Sequence, residues 1–258
     1  MRLLPDFIII GAQKCGTSSL YRNLIKHPCV GSAIWKEVNF FDINFKKGTA
    51  WYRAHFPSFL HKYYAKQIRK QDYATGEKTP DYIFYPHAPK RVLETVPQVK
   101  LIVLLRNPVG RAYSHYRHEV RLGYETLSFE DAIEKEKKRL HGEMEKMLED
   151  ENYYSYKYQH YSYLSKGIYI DQLKNWMKIF PKEQILILKS EDFFNAPTSI
   201  FKQVLEFLNL PTWEPKGYRK YNVGQLTEKM NAATKKRLIN YFEPHNQRLH
   251  KYLGIELG

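Results

Sequence analysis

The run Gly11-Ala12-Gln13-Lys14-Cys15-Gly16-Thr17-Ser18-Ser19 concentrates groups that hold anions. Backbone N–H groups in a glycine-containing turn, together with the N-terminus of a following helix, form a concave anion site. Lys14 adds a compact positive charge, and Thr17, Ser18 and Ser19 add hydroxyl donors. Cys15 reads as a small loop residue and not a nucleophile, since no partner base is evident. In the phosphate loop of nucleotide triphosphatases the lysine follows the second glycine and precedes a Ser or Thr on Mg²⁺. Here Lys14 precedes Gly16, so the lysine enters from the other side, and Mg²⁺-dependent phosphoryl transfer from ATP is disfavoured.

A second anion-gripping set is Arg106-Asn107-Pro108 with Ser114, eight residues after Arg106. A guanidinium fork and a hydroxyl suit a dianionic phosphate. A basic loop, Lys216-Gly217-Tyr218-Arg219-Lys220-Tyr221-Asn222, could close over an anionic ligand. No His/Cys cluster has metal-ligand spacing, so no metal is expected.

These residues need a scaffold that presents loops at one edge. Phe7-Ile8-Ile9-Ile10 is a continuous apolar run ending at Gly11, which predicts a buried parallel strand. Helical spacing through Leu20, Leu24 and Ile25 predicts a helix from Thr17 to His27, ended by Pro28. Leu101–Leu105 predicts a second buried strand, followed by a polar loop and a helix to about Arg121 with Pro108 in its first turn. Ile185–Leu188 predicts a third strand, after a helix through Tyr169, Leu173 and Trp176. Tyr73–Glu77 is a further short strand. The charged stretch from Ser128 to Asp150 reads as an exposed helix leading into a Tyr-rich stretch, Tyr153 to Tyr163. Residues Ala232 to Leu253 read as a helix broken or bent near Pro244. Strands alternating with helices predict an α/β fold with a mainly parallel sheet, and a single domain over residues 1–258 is the simplest organisation.

The formal net charge is +14 and the sequence pI about 9.5, which implies attraction to anions without saying which. A basic nucleic-acid binder is one alternative, but the basic residues form no single dense stripe and no nucleic-acid module appears. The two cysteines, Cys15 and Cys29, favour a reducing compartment. The N-terminal apolar run is too short for a signal peptide or membrane anchor, and no other stretch has membrane-spanning length; a cytoplasmic location is expected.

Phe7 to Ser19 resembles the 5′-phosphosulfate loop of the PAPS-dependent sulfotransferases. Lys36-Glu37-Val38-Asn39-Phe40-Phe41-Asp42 and Glu77-Lys78-Thr79-Pro80 are similar to segments of the heparan-sulfate branch. Arg106-Asn107-Pro108, with Arg111 and Ser114, matches the superfamily's 3′-phosphate motif. The match is dense over the first half of the chain. It is loose over the second, at Gly167-Ile168-Tyr169, Trp176 and Phe180-Pro181. The resemblance implies a P-loop-like three-layer α/β/α fold and sulfonate transfer from PAPS to an acceptor hydroxyl or amine, with PAP as product.

By the same resemblance Glu37 is the general base, Lys14 stabilises the leaving phosphate, and Lys78 contacts the sulfonate or Glu37. Lys14, Cys15, Gly16, Thr17, Ser18 and Ser19 hold the 5′-phosphate, Arg106 and Ser114 the 3′-phosphate. A lysine of the basic loop, Lys220 or in another register Lys216, covers the donor. The implied acceptor is a glycan or small hydroxylated molecule, with no nucleic-acid partner; the oligomeric state is not specified. A P-loop-like nucleotide kinase is the main alternative. Two departures stand out: Asn39 occupies a position where heparan-sulfate enzymes often carry His, and the chain has no Cys beyond Cys29 to brace the basic loop.

Overall fold

The computed structural model describes residues 2–68, 70–221 and 230–257, so Asn222 of the basic loop lies outside the described residues. In chain order the elements are β1 (Phe7–Gly11), α1 (Thr17–Leu24), β2 (Val30–Ser32), α2 (Gly48–Arg53), α3 (Phe59–Gln67), β3 (Ala74–Lys78), α4 (Ala88–Thr95), β4 (Lys100–Leu105) and α5 (Pro108–Arg121). They continue with α6 (Phe129–Leu140), α7 (Glu143–Glu149), α8 (Tyr156–Tyr161), α9 (Tyr169–Met177), β5 (Ile185–Lys189), α10 (Ser190–Asn195), α11 (Pro197–Phe207) and α12 (Ala232–Leu253). The chain divides into two compact units, residues 1–105 with 176–222, and residues 106–175 with 223–258.

The first unit is built on a five-stranded sheet in the order β2-β3-β1-β4-β5, every pairing parallel. The apolar runs explain it: β1 is buried along its whole length, and β4 is buried from Leu101 onward. Strands covered on both faces have no reason to alternate apolar and polar residues. β1 lies between β3 and β4, the place in an open α/β sheet where ligands bind beyond the strands' carboxyl ends. β1 and β3 approach so closely that a Cβ on Gly76 would stand 2.5 Å from the Phe7 carbonyl oxygen, so only glycine fits there. The short β2 gave no sequence signal, because three residues carry too little pattern.

The second unit is helical. Val109 and Ala112 of α5, Phe129 and Ile133 of α6, Tyr163, and Leu238 and Phe242 of α12 form its core. One expectation is corrected here and a second is narrowed. The charged stretch 128–150 is not one exposed helix. It forms α6 and α7, separated at Gly142 in the left-handed conformation (φ 75°), and it buries Phe129, Ala132, Ile133 and Met147. Sparse apolar residues at i, i+3 and i+4 are enough to make a buried stripe on an otherwise charged helix. α12 runs unbroken from Ala232 to Leu253 with Pro244 inside it, so of the two outcomes expected there the break does not occur, and the helix continues on both sides at the cost of one backbone hydrogen bond.

Candidate functional site at the carboxyl edge of the sheet

The turn after β1 has the geometry of an anion cradle. Lys14 (φ 68°) and Gly16 (φ 88°) both lie in the left-handed region, two residues apart. Gly16 precedes α1, whose N-terminus carries no side-chain cap. An uncapped helix start presents its first amides and the positive end of the helix dipole to whatever lies beyond. A side chain at Gly16 would be strained by its φ and would meet the Phe194 ring at 3.0 Å. Ala12 N–H donates to the Leu104 carbonyl (2.8 Å), fixing the start of the turn to β4. Cys15 is buried and keeps its thiol outside any disulfide, its Sγ 3.7 Å from the Gln13 carbonyl, as befits a loop-packing residue. Thr17 is buried, while Lys14 and Ser18 are half-buried.

Lys78, the last residue of β3, joins this turn to the candidate base. Its ammonium donates to Ser18 Oγ (3.2 Å) and forms an ion pair with Glu37 Oε1. The lysine side chain is 1% exposed and the glutamate 35%. Burial pushes the Lys78 pKa down, and the Glu37 carboxylate opposes that shift by favouring the charged form. Ser18, Glu37 and Lys78, singled out separately in the sequence, therefore sit together.

Strand alternation places Glu77 on the face opposite Lys78. The Glu77 carboxylate is fully buried and accepts from Tyr52 OH (2.7 Å), Thr79 Oγ1 (2.8 Å) and Tyr82 OH (3.2 Å). Burial raises its pKa, and these three hydrogen bonds hold it back. The same hydroxyls carry the Glu37 segment. Tyr82 OH accepts from Phe40 N–H (2.7 Å) and Thr79 Oγ1 from Asn39 N–H (3.3 Å). Asn39 itself turns at φ 53° and donates through Nδ2 to Asp42 (3.0 Å), so it braces the turn that carries the candidate base. The Tyr52 and Tyr82 contributions were missed in the sequence because nothing there distinguishes them from the other tyrosines.

The basic loop docks on α1. Ser19 Oγ accepts from Tyr221 N–H (2.9 Å) and lies 3.3 Å from the Tyr221 carbonyl. One turn on, Asn23 Nδ2 donates to the Arg219 carbonyl (3.0 Å), and the Arg22 guanidinium lies over the Tyr221 ring at 4.7 Å. The Ser19 hydroxyl, expected on a phosphate, is thus engaged by loop backbone: buried at 1% exposure, it faces the loop. Lys220 Nζ stands 5.2 Å from the centre of the Phe194 ring, the ring that borders Gly16. Lys220 thus stands over the ring that borders the turn. Asn23, fully buried on α1, carried a usable signal: a polar residue one turn after Ser19 on a helix face that packs inward.

In the second unit Asn107 accepts from Val109 N–H (3.0 Å) and Gly110 N–H (3.2 Å), so it caps α5, and Pro108 takes the first helical position. The Arg106 guanidinium lies along Gly110, where a Cβ would stand 3.5 Å from its Nη2, and Tyr169 OH donates to the Arg106 carbonyl (3.0 Å). Ser114 follows Gly110 by one helical turn on the same face. Arg111 is different: it is sealed in the interior and donates to the Tyr163 carbonyl, a structural role.

A parallel α/β sheet whose central strand ends in an uncapped, glycine-turned helix start defines a P-loop-like nucleotide-binding class of protein. Within that class the family is specific: residues 4–243 match the sulfotransferase domain, and the chain belongs to that family. It is 29% identical, over 97% of its length, to the membrane-associated sulfotransferase kil1 of Dictyostelium discoideum, of which it spans 65%. It is 35% identical, over 80% of its length, to human heparan sulfate glucosamine 3-O-sulfotransferase 3B1, of which it spans 46%. A crystal structure of a sulfotransferase from Alicyclobacillus acidocaldarius superposes with a TM-score of 0.72 at 28% identity, covering 99% of this chain and 98% of that one.

Proposed function

We propose that this protein transfers a sulfonate from PAPS to a hydroxyl or amine of a glycan, with Glu37 accepting the acceptor's proton. The observation that carries the reading is the Ser18–Lys78–Glu37 chain, in which one buried ammonium links the anion turn to a carboxylate. Sulfonate transfer needs positioning and charge stabilisation more than covalent help. In a balanced step the acceptor oxygen or nitrogen bonds to sulfur, the sulfur–oxygen bond to the 5′-phosphate breaks, and the acceptor proton goes to Glu37. The residues fit a phosphate group: Lys14, Cys15, Gly16, Thr17 and Ser18 supply amides, hydroxyls and charge at the α1 N-terminus. Lys14 answers the charge that develops on the leaving phosphate, Lys78 orients Glu37, and Ser19 and Lys220 serve the covering loop. Arg106 and Ser114 take the 3′-phosphate role that the sequence motif gives them. A glycan acceptor is supported by relatives whose names specify heparan sulfate glucosamine and by the net charge of +14.

The test pairs a melting assay with a transfer assay. At about a hundred times its Kd, 3′,5′-ADP should stabilise the fold by about 2.7 kcal/mol without Mg²⁺. ATP should do less, and labelled PAPS should pass its sulfonate to members of a glycan panel. Stabilisation by ATP only when Mg²⁺ is present, with none from 3′,5′-ADP, would replace this reading with a kinase.

A further inference from the structure

Helix α3 faces solvent with the side that an amphipathic helix normally buries. Among its residues only Ala65 is buried. Leu60 (72% exposed), Tyr64 (51%) and the capping Ile68 (63%) follow one another at i, i+4, i+8, and Phe59 and Tyr63 (both 53%) form a parallel row beside them. Residues at this spacing share one face of a helix, so the five side chains make a continuous apolar stripe. Apolar surface gathered in this way marks an interaction site, unlike singly scattered exposed residues. On the other side, Lys62 pairs with Asp6 (2.7 Å), and Lys66 stands exposed beside it.

The charge of the segment that carries the stripe points to what covers it. Between Asp42 and Asp72 the sequence has no acidic residue, against Lys46, Lys47, Arg53, Lys62, Lys66, Arg69 and Lys70. In the structure Asp6 and Asp72 line the same cavity as Lys62 and Lys66, while Lys66 and Lys70 themselves stand exposed. A purely apolar partner would leave this charge unanswered. A soluble sulfated glycan would answer the charge but would leave Leu60 and Ile68 in water. An anionic bilayer satisfies both, since apolar side chains enter the acyl boundary, tyrosines sit at headgroup level, and lysines meet the negative surface. We propose that α3 is a docking face for an anionic lipid membrane, with Phe59, Leu60, Tyr63, Tyr64 and Ile68 inserting and Lys66 and Lys70 reading the surface charge. The protein would then work at a membrane surface without spanning it; no helix among the described residues is long and apolar enough to cross one.

The whole chain is floated with vesicles of phosphatidylcholine alone or with about a third phosphatidylglycerol, in about 0.1 M salt. The protein should float with the anionic vesicles and stay behind with the neutral ones. Lys66→Gln and Lys70→Gln should each weaken binding about fivefold, and about 1 M salt should weaken it further. Leu60→Ser combined with Ile68→Ser should cut binding at least about tenfold, because two apolar anchors are lost. These positions are exposed, and an unchanged melting temperature confirms that a variant is folded. Failure of the unaltered protein to float with anionic vesicles overturns the proposal, as does flotation that ignores the Leu60/Ile68 change. If the protein is a dimer in light scattering and that double change makes it a monomer, a second copy covers the stripe. If the double change abolishes binding to soluble heparin, the face belongs to a glycan. In either case the lipid assignment falls.

Discussion

Lys78 holds Glu37 from below: an ammonium almost sealed from solvent, at the end of a central strand, grips a carboxylate that still reaches it. The lysine's second partner, Ser18, belongs to the anion turn, so the spacing between turn and carboxylate is set by a rigid strand. Replacing Glu37 with Gln should cut turnover by at least about a hundredfold while leaving the Kd for 3′,5′-ADP within about threefold. Lys78→Met should also lose about a hundredfold or more in turnover. Burial pushes the Lys78 pKa below its ordinary value, against the pull of Glu37. The ammonium therefore loses its proton at lower pH than a free lysine, and turnover should fall along an alkaline limb lying below about 10.4. A pH profile of kcat with no such limb, or one unchanged in Lys78→Met, would show that this ammonium is not needed in its charged form.

What the sequence disclosed and what it hid divide along physical lines. Phe7–Ile10 and Leu101–Leu105 announced buried parallel strands because such strands are apolar on both faces, and the loops after them followed from the chain's alternation. The pairing of Lys78 with Glu37 stayed one of two options in the sequence, since 41 residues separate them and only the folded chain brings them together. Ser19 carries a contact that the sequence did not show. Its hydroxyl reads as one donor among three for a phosphate, and in the fold it also meets the backbone of the basic loop at Tyr221, because a helix turns each successive side chain by about 100°. The Glu77 network with Tyr52 and Tyr82 was hidden because a buried carboxylate is legible only through partners distant in the chain.

The Ser19–Asn23 latch should matter for donor binding more than for chemistry. Both side chains bond loop backbone, at Tyr221 and Arg219, so they constrain the loop whatever its side chains. Asn23→Ala removes one buried partner and costs the loop about 1–3 kcal/mol of order. The expected result is a Kd for 3′,5′-ADP raised about tenfold, with kcat at saturating PAPS changed much less. Lys220→Ala, which leaves the latch intact, should raise the Kd without loosening the loop. Hydrogen exchange at the amides of residues 219–221 separates the two, and equal exchange in Asn23→Ala and the unaltered protein would count against a latch.

Arg106 is laid along the first turn of α5 by a glycine. At Gly110 a bare Cβ would fit at 3.5 Å from Nη2, so a longer side chain there would compete for the guanidinium's place. Arg106→Ala should weaken binding of 3′,5′-ADP about ten- to a hundredfold, the usual worth of hydrogen bonds to a charged group. Binding of 5′-AMP, which lacks the 3′-phosphate, should change little. Gly110→Leu should act in the same direction through displacement of the arginine. Calorimetry with the two nucleotides decides the matter: equal losses for both would remove the arginine from a 3′-phosphate role.

His115 should make the second unit acid-sensitive. Its ring is wholly buried on α5, against Tyr163 at 4.9 Å between ring centres, and its Nε2 lies 3.3 Å from Glu119 Oε1. Burial lowers its pKa to about 3; nearby Arg111 and Lys166 push the same way, and Glu119 opposes them. In the unfolded chain the same ring titrates near 6.5, so below that pH the unfolded state takes up a proton that the folded state refuses. Stability is therefore complete above about 6.5 and is lost as the pH falls toward 3, by about 2 kcal/mol already at pH 5. Asp42 works in the other direction, since burial raises its carboxyl to about 7 and its folded state prefers the proton over that same range. The melting curve of the unaltered protein thus mixes two slopes, and a variant is needed to isolate one. His115→Gln removes the titrating ring and keeps a polar side chain of similar reach. Its melting temperature should be lower at pH 7.5, and the gap to the unaltered protein should close as the pH is brought to 5. A gap that stays constant over that range would mean that His115 is not held neutral in the fold.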